Sequence, residues 1–235
     1  MTDTGFNLVE RLRRLDACAL SDALDQLAQK GEQAGFVIGG VARASGTGVL
    51  AGRAVTMRVG PGSPPPGPPR HLGTRAIEAA GPDDVIVIEQ SSGIEAGCWG
   101  GLLSTGAKAR GIAGVIADGP VRDVDEARAM DFTIFTRQRT ARTARGRVVE
   151  LEQGGPIMLF GVPVRQGDCV VADESGVIVI PADQAEKVCA AAERIAARER
   201  VMAEAIGGGA RISLVLGSDY EHLLEEQGNP ENRKD

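Results

Sequence analysis

Soft metal ligands are scarce in this chain of 235 residues: it has two histidines, His71 and His222, and four cysteines, Cys18, Cys98, Cys169 and Cys189. Two histidines exclude a histidine-rich zinc site, and with no C-x-x-C spacing among the cysteines reduced, mostly buried thiols are expected. Aromatic residues make up only 3% of the chain, so its core must be built from Val, Ile, Leu and Ala. Cationic excess is missing too. A net charge of −6 argues against a general nucleic-acid surface, which needs phosphate-neutralising side chains. No apolar run approaches the length that crosses a bilayer. The opening Met1-Thr-Asp-Thr-Gly-Phe6 lacks the basic-then-apolar order of a secretory leader. The expectation is a cytoplasmic protein with neither nucleic acid nor membrane as partner. There is also no G-x-x-x-x-G-K-[ST] phosphate loop, no G-x-S-x-G elbow and no dinucleotide fingerprint.

What the chain does have is 32 glycines and a clear succession of periodic segments. Leu8, Leu12 and Leu15 recur at helical spacing, and Ser21-Asp22 opens a second helical run closed by Gly31. Alternation from Val37 to Val59 predicts strands. Gly60-Pro-Gly-Ser-Pro-Pro-Pro-Gly-Pro-Pro69 cannot continue them, because proline has no amide donor, and reads as a stiff surface loop or a lid. Helix over 72–80, strand over 85–89, helix over 101–110 and strand over 113–117 give the order of a parallel α/β layer, continued by a strand over 132–135. Short apolar runs at 148–151, 157–160, 162–164, 168–172 and 177–180 predict an all-β stretch. A long helix follows from Pro181-Ala-Asp183 to about Ile206. A polar tail from about Gly217 holds room for one short helix over 220–225. With no internal repeat and no evident boundary, the reading is a single α/β layered domain over 1–235, with the proline-rich loop at 60–70.

Two neighbouring segments carry candidate chemistry. Gly97-Cys-Trp-Gly-Gly-Leu-Leu-Ser104 places Gly100 and Gly101 just before a helix, where the amides of Gly100, Gly101, Leu102 and Leu103 can receive a carboxylate. Gly114-Val-Ile-Ala-Asp-Gly-Pro-Val-Arg-Asp123 reads as a buried strand whose carboxyl end carries Arg122 and Asp123, where ligand sites of α/β sheets gather. Asp123 can hold Mg²⁺ or Mn²⁺, and Arg122 can face a developing enolate oxygen. A plainer alternative stands beside this one: Asp123-x-x-Glu126 fits a helix capping box. Glu199 falls on the apolar stripe Ala185, Val188, Ala192, Ile195, Met202 and Ile206, so its carboxylate needs a partner. An ion pair or a place in the site would each supply one. His71, beside the proline loop, is a polar pocket or acid–base candidate. The cluster Arg137, Arg139, Arg142, Arg145 and Arg147 fits solvated charge, a subunit contact or an anionic ligand.

Trp99-Gly-Gly-Leu-Leu-Ser104, Gly111 through Asp123, and Asp168 through Pro181 together resemble the RraA-like family in order and spacing, over roughly residues 15–220. That family includes regulators of ribonuclease E activity and class II 4-hydroxy-4-methyl-2-oxoglutarate/4-carboxy-4-hydroxy-2-oxoadipate aldolases. The resemblance implies a swivelling β/β/α fold, a homotrimer or hexamer, and active sites between subunits. It also implies Asp123 as the Mg²⁺ or Mn²⁺ ligand, Arg122 on a pyruvate enolate, amides near Leu102 and Leu103 on the pyruvyl carboxylate, and Glu199 reaching a neighbouring subunit's site. The expected activity is retro-aldol cleavage of a 4-hydroxy-2-oxo acid to pyruvate, or oxaloacetate-type decarboxylation. A non-catalytic regulator that binds a partner enzyme is the alternative. One departure stands out: the aldolase pattern has an acid 21 positions before the arginine, where this chain has Gly101. His71 likewise replaces the asparagine common in relatives.

Overall fold

The computed structural model describes residues 7–68 and 70–217. Its strands are β1 (Phe36–Ile38), β2 (Ala42–Ser45), β3 (Leu50–Gly60), β4 (Asp84–Glu89), β5 (Gly114–Asp118), β6 (Thr133–Thr136), β7 (Val149–Gln153), β8 (Ile157–Leu159), β9 (Val162–Val164), β10 (Cys169–Ala172) and β11 (Val177–Ile180). Its helices are α1 (Leu8–Leu12), α2 (Ala17–Ala28), α3 (Thr74–Ala79), α4 (Gly101–Ala109), α5 (Val124–Ala129), α6 (Ala185–Gly207) and α7 (Ile212–Val215). One sheet runs β1-β11-β10-β3-β4-β5-β6-β2, with β7 added to β3 and β8–β9 forming a separate hairpin. Its centre, β3-β4-β5-β6, is parallel, and β1, β2, β7, β10 and β11 pair antiparallel.

The strand composition explains this layout. Val85, Ile86, Val87 and Ile88 of β4 are wholly buried, as parallel strands covered on both faces require. Alternate residues serve different layers. Ile86 and Ile88 join the core under α3, α4 and α5, while Val85 and Val87 join Ile157, Leu159 and Val164 of the hairpin. A third cluster packs α1, α2 and α6 against Ala51, Val171 and Ile178. Strands β1 and β2 stand at opposite ends of the order yet are joined only by residues 39–41, so the sheet curls until its edges meet. Arg137 fastens that seam, donating to Gly39 O at 2.7 Å and Gly40 O at 3.2 Å and lying over the Phe160 ring.

The elements differ from the sequence reading in places with identifiable causes. Helix α2 starts at Ala17 rather than near Ser21, because Asp16 caps it by accepting Ala19 N–H at 2.7 Å and Asp173 accepts Ala17 N–H at 2.8 Å. Helix α3 is shorter than 72–80: Gly73, at φ +82°, starts it. The helix expected over 220–225 lies outside the described residues. Among the described residues no helix is long and apolar enough to cross a membrane.

Arg11 ties α1 to α6 through two 2.8 Å bonds to Glu193 and a further bond to Glu186. That guanidinium holds the Glu193 carboxyl below the usual carboxylate range. A depressed acid stabilises the fold fully above its unfolded pKa and ceases to do so as pH falls through its folded value. Glu193→Gln should therefore cost about 1 kcal/mol or less near neutrality, because the pair is partly solvated, and nothing at strongly acid pH. Urea midpoints across a pH series check this.

Candidate functional site

Beyond the carboxyl ends of β4, β5 and β6 the chain continues as three adjacent segments joined by two parallel bridges, Trp99 with Val121 and Val121 with Arg139. Arg122 N–H donates to Trp99 O at 3.0 Å, which sets the Arg122–Asp123 pair against the turn leading into α4. The glycines of that turn have a packing reason. A Cβ at Gly97 would lie 3.0 Å from Arg122 Cγ and Cδ, and one at Gly100 would lie 2.9 Å from Asp123 Oδ2. At Gly101 a Cβ would overlap Glu126 Oε2 outright and sit 2.8 Å from Glu126 Cδ. Three absent side chains thus make room for Arg122, Asp123 and Glu126.

Asp123 occupies the N-cap position of α5 but does not cap it. Its backbone is left-handed at φ 55° and ψ 37°, and no side-chain capping bond forms. The carboxylate turns instead toward α4: Oδ2 accepts Gly101 N–H at 3.1 Å, and Arg122 Nε lies 3.2 Å from both oxygens. The capping-box alternative is thereby set aside, since Glu126 lies over Gly101 rather than reaching back to its own helix start. Only Asp and Asn among ordinary residues adopt this backbone region readily, and such strain concentrates at functional sites.

The next two amides of α4, those of Leu102 and Leu103, have no acceptor among the described residues. They open at the positive end of a nine-residue helix, beside a guanidinium that is 35% exposed and a carboxylate that is 31% exposed. The arrangement can receive a carboxylate on the amides, a second oxygen on Arg122, and a cation on Asp123.

Other candidates fall outside this cluster. Glu199, expected on a buried stripe, is exposed and makes no ion pair among the described residues. The helical phase is right but the core is not there: α6 is buried against α1 and α2 up to Ile195, and beyond it only Met202 is buried. His71 is exposed, its Nδ1 lying 2.9 Å from Leu72 O. Two residues on, Gly73 does pack on the turn: a Cβ there would lie 3.1 Å from Leu103 and 3.5 Å from Trp99. The arginine cluster divides: Arg137 closes the sheet, Arg142 pairs with Glu95 at 3.1 Å, and Arg139 and Arg145 are exposed. Sequence reasoning read Glu126 only as a capping acid, whereas its carboxylate lies against Gly101. The signal for that contact was present in a glycine where an acid is expected and an acid one helical turn beyond Asp123.

The family described as RraA-like, Aldolase/RraA, matches residues 17–179. This chain belongs to the RraA-like family. A Halalkalibacterium halodurans protein with the provisional name 4-hydroxy-4-methyl-2-oxoglutarate aldolase is 30% identical over 211 residues, covering 88% of this chain and 91% of that protein. Protein DlpA of Legionella pneumophila is 28% identical over 90% of this chain, which spans only 33% of DlpA. The crystal structure of Streptomyces coelicolor RraAS2, described as an unusual member of the RNase ES inhibitor RraA protein family, superimposes with a TM-score of 0.68 at 24% identity, over 83% of this chain and 94% of that one. That likeness supports the RraA-like fold.

Proposed function

We propose that this RraA-like protein is a divalent-metal-dependent lyase that forms pyruvate, by retro-aldol cleavage of a 4-hydroxy-2-oxo acid or by decarboxylation of an oxaloacetate-type acid. The observation that carries this reading is the single cluster of free α4 amides, Arg122, Asp123 and Glu126. Among the described residues no group of three His, Cys, Asp or Glu side chains forms a metal cage. The single carboxylate of Asp123 fits Mg²⁺ or Mn²⁺, which bind through one or two carboxylates and fill the remaining positions with substrate oxygens and water. Asp123 would hold the ion, and the ion would supply positive charge to the substrate's 2-oxo group.

The chain's own residues account for the remaining chemistry. The Leu102 and Leu103 amides hold the carboxylate next to the 2-oxo carbon. Arg122 faces the 2-oxo oxygen, so its fixed charge meets the negative charge that accumulates there as the enolate forms. Glu126, occupying the space of the acid absent at Gly101, is placed to move a proton. Taken from the C4 hydroxyl, that proton leaves C4 as a carbonyl while the C3–C4 pair passes into the enolate, and its return to C3 gives pyruvate. Glu199 and His71 complete the site from outside this cluster. Exposed on one protomer, Glu199 suits a homotrimer or hexamer in which it reaches a neighbouring subunit's site, and His71 contacts the distal part of the substrate.

The deciding experiment follows pyruvate release with Mg²⁺, with Mn²⁺ and with chelator, on 4-hydroxy-2-oxo acids and oxaloacetate. Metal-dependent turnover supports the lyase. No turnover on any of them, with specific capture of a partner enzyme, would favour the regulator. Arg122→Lys should lower kcat about a hundredfold, because an ammonium keeps the charge but not the planar fork.

A further inference from the structure

Buried behind the α4 amides is a polar pair that the proposed chemistry leaves unused. Trp99 is 1% exposed and Ser104 is fully buried, and the indole N–H donates to Ser104 Oγ at 2.9 Å. Ser104 Oγ in turn donates to Gly100 O at 3.1 Å, an oxygen that also accepts Ser104 N–H at 3.0 Å. The backbone of the same tryptophan accepts the Arg122 N–H. Trp99 therefore grips the guanidinium-bearing segment through its main chain and the first turn of α4 through its side chain. Gly100, the N-cap of α4, has no side chain to cap it, so this inward bond and the Gly101 N–H bond to Asp123 together hold the helix start.

We infer that the Trp99–Ser104–Gly100 chain of hydrogen bonds is a positioning device: it sets the spacing between the amides of Leu102 and Leu103 and the guanidinium of Arg122, and so the site's fit to a planar two-carbon oxo-acid unit. This rests on the proposed function. The physical reason is that a carboxylate and an enolate oxygen stand at a fixed separation in such a ligand. A mis-set turn satisfies one partner and misses the other, and small displacements carry large penalties. Ser104 and Trp99 touch no substrate in this scheme. They act through Gly100 and Arg122.

The test uses oxalate, a planar stand-in for the pyruvate enolate, titrated calorimetrically into the full chain with Mg²⁺, alongside melting temperatures. Ser104→Ala and Trp99→Phe should each weaken oxalate about tenfold. Stability should separate from affinity in the double variant. Ser104→Ala strands a buried indole N–H in the parent but strands none in the Trp99→Phe background, so there it should cost less stability while oxalate stays weak. Ser104→Thr, which keeps the hydroxyl, should bind like the parent in any fraction that folds. Parental affinity in folded Ser104→Ala or in the double variant would overturn the inference and reduce the bond to a structural one. A parent chain that binds no oxalate with Mg²⁺ would instead bring down the lyase reading itself, and this inference with it.

Discussion

Asp123→Asn is expected to lower metal-dependent pyruvate release at least about a thousandfold, roughly 4 kcal/mol of transition-state stabilisation, with little change in melting temperature. Asparagine keeps the shape and can still accept the Gly101 N–H, so the left-handed N-cap and the packing against Gly100 survive. What disappears is the negative charge that would hold a cation and that faces Arg122 Nε at 3.2 Å. The coupled pyruvate assay at saturating metal reads the effect. A variant that keeps a tenth of the parent rate would remove Asp123 from the mechanism.

The second large effect concerns Glu126, proposed to stand in for the acid absent at Gly101. Glu126→Ala should cut turnover by about two to four orders of magnitude, the range of a lost general acid–base group. Introducing an acid at the vacant position should restore part of it, so Gly101→Asp with Glu126→Ala should outperform Glu126→Ala by tenfold or more. Gly101→Asp alone should do harm, because its Cβ would overlap the Glu126 carboxylate, which would have to leave the site. This crossed pattern is specific to a shared space. If the double variant is no better than Glu126→Ala, the two positions do not serve one role. Steady-state kcat for the four chains decides.

How far the chain could be read from its sequence varied with the kind of signal. The parallel centre was legible because continuous apolar runs such as Val85–Ile88 leave few alternatives to a doubly covered strand. The all-β stretch was legible for the same reason, although the curl that brings β1 and β2 together was not, since register between distant strands leaves no local trace. At the site, Arg122, Asp123 and the α4 amides came from motif and spacing. The reason for the glycines did not: they read as a turn, whereas their missing Cβ atoms hold Arg122, Asp123 and Glu126. Helical phase placed Glu199 correctly on the stripe but could not show that the stripe outruns the core beyond Ile195. The Asp123-x-x-Glu126 spacing suggested a local cap, and a long-range contact with Gly101 claimed both side chains instead.

The central claim is tested most directly by titrating Mn²⁺ into the protein in the presence of oxalate and following the free ion by electron paramagnetic resonance. One tightly held Mn²⁺ per chain in the parent, abolished in Asp123→Asn and retained in Ser104→Thr, is the expected result. Equal binding by the parent and Asp123→Asn, or none by either, would contradict a cation seated on Asp123.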